Sequence, residues 1–243
     1  MDWINTIQRL TPPLLQESVR HVKGGCQIGG SPLIMTAPSI GSYSQYHEDL
    51  IIDAILGCHK EGFYIDVGAN HPQILSNTKR FYDKGWRGVN IEPNPTMFGL
   101  LQEERKNDVN LNIGLGREKG ERDFFLLDPD TLSSFNPLAV KKMLRSPGIR
   151  LVSTSHIEVN TLDDVCERYA SGRTIDFMSL DVEGCEDEVI AGGDWQKFRP
   201  RLLLMEINQR GEGLIETLQK IGYRLVFSNG TNGIFMDDEL KPQ

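Results

Sequence analysis

A chain of 243 residues with 39% hydrophobic and 25% charged residues is long enough to bury a core and has the composition of a globular α/β protein. A net charge of −8 argues against DNA or RNA as partner, because neutralising phosphates needs clustered Lys and Arg. No stretch approaches the roughly 18 apolar residues of a membrane span, and the opening Met1-Asp2-Trp3-Ile4-Asn5 lacks the basic start and apolar run of an export signal.

The four cysteines, Cys26, Cys58, Cys166 and Cys185, lie far apart and form no zinc-type spacing with the five histidines, so a reduced, cytoplasmic setting is expected and no dedicated metal-ligand set is assigned. Residues 1–41 carry Pro12-Pro13, Gly24-Gly25, Gly29-Gly30 and Pro32, a density of breakers that reads as an N-terminal arm, with a homo-oligomer contact or a lid as its candidate roles. The domain proper is expected over 42–243.

Its first predicted helix runs from the serines at 42–44 to Leu56 and stops at Gly57. Residues 62–68 read as a buried strand, 76–84 as a helix ended by Gly85, and 88–93 as a second strand stopped by Pro93, which makes one βαβ unit. A helix near 97–106, strands at 109–115 and 122–127, and a helix at 162–169 follow. The apolar runs 175–180 and 202–207 read as central strands of a parallel sheet, each ending in polar residues. A helix near 214–221 and two strands at 223–227 and 234–236 around Ser228-Asn229-Gly230 predict an antiparallel closing hairpin. Lys141-Lys142-Met143-Leu144-Arg145, just before Pro147-Gly148, reads as a solvated helix face.

In an open parallel sheet, ligands bind outside the carboxyl ends of the strands, so the polar residues there are the candidate site. The first strand ends in Asp66-Val67-Gly68-Ala69-Asn70, where Asp66 can accept from a cationic amino group and Gly68 offers close approach to the backbone. About two dozen residues on, Glu92, followed by Pro93, stands where a carboxylate holds ribose hydroxyls in nucleotide-binding βαβ folds. Two readings then compete: a nucleotide-dependent oxidoreductase, and a methyltransferase using S-adenosylmethionine. A pyrophosphate loop wants G-x-G-x-x-G, but Gly68 is followed by Ala69, Asn70, His71, Pro72 and Gln73, which favours the cofactor without phosphate. Ile113 and Gly114, after Asn112, are placed to border an adenine. Asp181 and Glu183, with Glu206, form an acidic floor able to hold the cofactor's ammonium, take a proton from a hydroxyl, or bind a divalent cation.

The chain resembles the FkbM-type S-adenosylmethionine-dependent methyltransferase family. The resemblance is carried by the stretches 43–50, 64–72, 76–78 with Phe81-Tyr82, 85–95, Leu132-Ser133-Ser134, Asn160-Thr161-Leu162-Asp163 and 179–184, over roughly 42–237. It implies a Rossmann-like seven-stranded methyltransferase sheet, mostly parallel with an antiparallel C-terminal hairpin, with Asp66, Gly68, Asn70 and Glu92 around the cofactor. It also implies O-methylation of a hydroxyl on a sugar, polysaccharide precursor or polyketide-type product. His47 stands where the family often has glycine, and is expected to be an added histidine on an exposed helix. Asp181 and Glu183 are the expected catalytic pair, with His156 in reserve, and the long segment 128–155 is expected over the cofactor pocket to carry the small-molecule acceptor. A catalytically silent cofactor-binding scaffold is the alternative.

Overall fold

We describe the fold from a computed structural model, which covers residues 41–207 and 211–239. The arm expected over 1–41 lies almost wholly outside these residues. Helix α1 spans Glu48–Ile55 and starts later than the serines suggest. Ser44 and Asp49 bond each other across the turn, Ser44 Oγ donating to Asp49 Oδ1 (2.9 Å) and the Asp49 amide donating back to Ser44 Oγ (3.0 Å). His47, at the helix boundary rather than on an exposed helix, is half-buried and left-handed at φ 66°.

Strand β1 (Phe63–Val67), helix α2 (Lys79–Asp83) and strand β2 (Arg87–Ile91) form the first βαβ unit. Helix α3 (Pro95–Glu104) opens with Asn94 accepting from the Thr96 amide (3.0 Å), with proline at the first helical position where its missing N–H costs nothing. The strand expected over 109–115 is two strands, β3 (Val109–Leu111) and β4 (Gly114–Leu115), which join different sheets. Between them, Asn112 Nδ2 donates to the carbonyls of Glu92 (2.8 Å) and Pro93 (3.0 Å). That pair of bonds pins the break to the end of β2.

Strand β5 (Gly120–Asp128), a short 3₁₀ turn (Asp130–Leu132), helix α4 (Pro137–Met143) and strand β6 (Arg150–Asn160) follow. β6 pairs antiparallel with β5 and parallel with β4, in a three-stranded sheet outside the main one. Helix α5 (Leu162–Tyr169), strand β7 (Phe177–Leu180), helix α6 (Glu186–Ala191), strand β8 (Leu202–Glu206) and helix α7 (Gly211–Lys220) complete the parallel part. Strands β9 (Tyr223–Ser228) and β10 (Asn232–Asp237) are the antiparallel hairpin.

The main sheet has seven strands in the order β3-β2-β1-β7-β8-β10-β9, parallel except for β10, which runs antiparallel to both neighbours. Alternation along β1 shows why both faces are covered: Ile65 and Val67 pack with Val165, Val189 and Leu218, while Tyr64 packs on the other side with Ile52, Phe81 and Trp86. On that second side Phe81 sits 4.6 Å from Phe177 and 4.9 Å from Trp86, ring centre to ring centre, in tilted contacts. Truncating either fully buried Phe81 or Trp86 to alanine removes about 3–5 kcal/mol. Chain order along the sheet reverses between β1 and β7, so the crevice for a ligand opens beyond their carboxyl ends.

Candidate active site

Gly68 leaves β1 at φ +79°, and a Cβ there would overlap the carbonyl oxygen of Asp181. The glycine thus lets the ends of β1 and β7 meet, a use that stands beside its place on the crevice wall. Gly68 and Ala69 both donate their amides to Ile91 O (2.9 and 3.1 Å), and the Asp181 amide donates to Val67 O (3.0 Å). The three strand ends that carry Asp66, Glu92 and Asp181 are thereby locked together.

Glu92 Oε2 accepts from the Asn70 amide and Oε1 from the Asn94 amide, both at 2.7 Å. Asn70 adopts φ +46° and accepts from the His71 amide through its own side chain (2.7 Å), which holds the loop in that shape. Burial pushes the Glu92 carboxyl up to about 7, while the two amides pull the other way. Asp66, 3% exposed, accepts from Thr78 Oγ1 (2.7 Å), and burial raises its pKa. Behind it, fully buried Arg105 donates to Pro72 O (2.8 Å), Ser76 Oγ (3.0 Å) and Tyr64 Oη (3.0 Å), fastening the loop that follows β1 to the end of α3.

Beyond β7 the chain turns through two left-handed residues, Glu183 (φ +50°) and Gly184 (φ +92°). A non-glycine residue there costs about 1–2 kcal/mol, and a clip from the crossover segment holds it. Ser134 Oγ donates to Glu183 O (2.8 Å) and accepts from the Asn136 amide (2.9 Å), while Asn136 Nδ2 donates to Gly184 O (2.9 Å). Glu186 Oε1 accepts from the Gly184 amide (3.0 Å). The cap of α6 is Cys185 and not Asp181, which leaves the Asp181 side chain to the crevice.

One carboxylate oxygen each from Asp181, Glu183 and Glu206 lies within 4.8 Å of the others. Asp181 is solvent-exposed and lines the wall of the crevice. Burial and then the neighbouring carboxylates, Glu206 foremost, raise its pKa; burial and then Asp181 raise that of Glu183. Crowding of this kind opposes three separate charges, so the three acids titrate as one coupled set.

Asp66, Gly68, Ala69, Asn70, Glu92, Pro93, Ile113, Gly114, Asp181 and Glu183, the residues singled out from the sequence, all line a single cavity of about 760 Å³, together with Glu206. That volume is in the range of small-molecule sites, roughly 300–1,000 Å³. The crossover contributes Asp130 to Phe135, Leu138, Ala139, Lys142, Met143, Ser146 and Ile149 to the same walls. His156 does not belong there. It sits on the outer hairpin, its side chain largely exposed and paired with Asp123 (2.7 Å), because β6 carries it away from the main sheet.

Residues 66–225 match the sequence profile of the methyltransferase FkbM domain. The chain belongs to the FkbM methyltransferase domain family. The match spans the three strand ends of the crevice and the crossover clip, and it resolves the competing oxidoreductase reading in favour of methyl transfer. No curated protein sequence matches the chain significantly. Among solved structures, the chain is similar to the methyltransferase domain of METTL16, with a TM-score of 0.42 and 12% identity over 79% of this chain and 66% of that one, just under two thirds of its length. It is also similar to 1,6-didemethyltoxoflavin-N1-methyltransferase of Burkholderia thailandensis, whose structure holds 1,6-didemethyltoxoflavin and S-adenosylhomocysteine, with a TM-score of 0.38 and 13% identity over 78% of this chain and 74% of that one. Both are distant, and membership of the family stands on the sequence match.

In this FkbM-family methyltransferase the residues that sequence reasoning missed are those that hold others in place. Arg105 acts behind Asp66 and Asn136 behind Glu183, while Thr78 was legible within the matching stretch 76–78 but its bond to Asp66 was not. Ser134 was legible as part of a matching motif, but its bond to the Glu183 carbonyl was not. Among the described residues no helix is long and apolar enough to cross a membrane, and Cys58, Cys166 and Cys185 are free thiols.

Proposed function

We propose that this methyltransferase uses S-adenosylmethionine to methylate a hydroxyl group on a sugar, a polysaccharide precursor or a polyketide-type molecule. The observation that carries the reading is the carboxylate cluster Asp181, Glu183 and Glu206 at the sheet's switch point, in the same cavity as Glu92 and with no phosphate-cradling glycine loop. When bound, S-adenosylmethionine supplies an electrophilic methyl group on a cationic sulfur. Glu92, already oriented by two amides, keeps lone pairs for ribose hydroxyls; Ile113 and Gly114 border the adenine side; Asp66 and Asp181 favour the cationic end.

The harder task is the acceptor proton, since an alcohol is a weak nucleophile until a base assists. In this reading Asp181 or Glu183 takes it, as burial and then the neighbouring carboxylates lift their pKa values above the ordinary carboxylate range. The proximity of the three carboxylate oxygens also favours a second reading, in which Asp181, Glu183 and Glu206 hold a hard divalent cation that lowers the pKa of the acceptor hydroxyl. We also place the protein in the cytoplasm, in line with its free thiols, and assign residues 1–41 to an arm for self-association or closure.

Methyl transfer from S-adenosylmethionine to a panel of glycosides and hydroxylated macrolides, with and without magnesium, tests the assignment. Asp181→Asn or Glu183→Gln is expected to lower kcat by about 10²-fold or more with S-adenosylhomocysteine still bound. Full turnover by both variants at saturating acceptor contradicts it.

A further inference from the structure

The cavity has a chemical asymmetry that narrows the acceptor beyond its hydroxyl. Its walls are acidic, with Asp130, Glu186 and Asp187 in addition to the three clustered carboxylates, and Lys142 is the one basic side chain among the described residues that line it. A dication at the cluster would still leave these walls net negative. Three large apolar side chains on the same lining are nonetheless open to solvent: Leu138 is 76% exposed, Ile74 53% and Leu75 38%.

None of the three is a loose end. Leu138 sits in the first turn of α4, where Asn136 Oδ1 accepts from its amide (3.0 Å), and Asn136 is itself tied to the acid loop through Gly184. The Ile74 amide donates to His71 Nδ1 (3.1 Å). Leu75 is held left-handed at φ +58°, a conformation that is strained for a leucine, and the next residue, Ser76, is anchored by Arg105. Strain retained to present an apolar side chain at a cavity is a mark of ligand contact.

Resting on the methyltransferase reading above, we propose that the acceptor is an uncharged or cationic molecule with an apolar body, which covers Ile74, Leu75 and Leu138 while its hydroxyl faces the acidic floor. Phosphorylated and carboxylated acceptors, including nucleotide-activated sugars, are disfavoured by the walls, since a like charge in a walled site costs far more than at an open surface. Leu138 and Ile74 are then specificity determinants: covering their exposed area gives the binding energy that a bare sugar cannot recover.

Calorimetry on the full chain, with and without S-adenosylhomocysteine, tests this with n-octyl β-D-glucopyranoside below its self-association concentration, methyl β-D-glucopyranoside and n-octyl phosphate. The octyl glucoside is expected to bind at least tenfold more tightly than either of the others, and Leu138→Ser and Ile74→Ser are each expected to reduce that preference at least threefold. Equal binding of the two glucosides, octyl phosphate as good as octyl glucoside, a preference untouched by both variants, or no binding of any probe overturns the proposal. S-adenosylhomocysteine is titrated separately. If it binds and the glucosides are not distinguished, the acceptor class is wrong and the cofactor reading stands; if it fails to bind while the octyl preference is present, the reverse holds.

Discussion

His47 holds a backbone angle that suits glycine, at the boundary of α1, and its Nδ1 is buried without a hydrogen-bond partner among the described residues. The resemblance marked this position as one where glycine is common, and the left-handed φ of 66° supplies the physical reason. His47→Gly is expected to raise stability by up to about 1 kcal/mol, read as a higher midpoint in thermal or urea unfolding. A lower midpoint would show that the packing of the imidazole outweighs the strain. At this scale the sequence was informative where chemistry and position coincide: Asp66, Gly68, Glu92 and Asp181 stand out as polar or glycine residues ending apolar runs. Arg105 was illegible because nothing local separates a buried arginine at a helix end from the many on surfaces; only the convergence of Pro72, Ser76 and Tyr64 around it does.

Among the elements, the central strands were readable because burial on both faces makes them continuous apolar runs bounded by glycine, proline or acids. In the second sheet β5 was readable at 122–127, but β6 and the pairing were not. Most of β6 is exposed, Leu151 and Val152 are adjacent, and only Ile157 and Val159 alternate toward the protein, too short a pattern to announce an eleven-residue strand paired with β5. The same crossover supplies the clip on the acid loop, which makes Ser134 a positioning residue for Glu183. Ser134→Ala removes the bonds to the Glu183 carbonyl and the Asn136 amide. If Glu183 has the proposed catalytic role, the expected result is a fall in kcat of about tenfold from its misplacement, with a displaced pH–rate profile and cofactor affinity within twofold of wild type. An equal loss of cofactor affinity, with the profile unmoved, would reduce Ser134 to general scaffolding.

For the molecule as a whole, the site is held at a cost to stability. Glu92, Asp181 and Glu183 all have folded pKa values above their unfolded ones. The folded chain therefore retains protons that the unfolded chain releases, and this contribution is fully present below the unfolded pKa and is lost as pH rises through the folded one. For Glu92 that window runs from 4.5 to about 7. The ligand-free protein is expected to lose thermal stability between pH 5 and 8, and Glu183→Gln is expected to raise its midpoint at pH 8, in chelator, while impairing turnover. A midpoint for the variant at or below wild type at pH 8 would show that the carboxylates are not crowded.

The central claim is that the cavity between the ends of β1, β2 and β7 is an adenosyl-cofactor site. Its most direct test is calorimetric titration with S-adenosylhomocysteine of the wild-type chain and of Glu92→Ala, with unfolding curves to show that both are folded. Binding by the wild type, weakened at least tenfold in the variant, is the predicted result; a folded wild-type chain that binds no S-adenosylhomocysteine, or a variant that binds it equally well, would contradict the account.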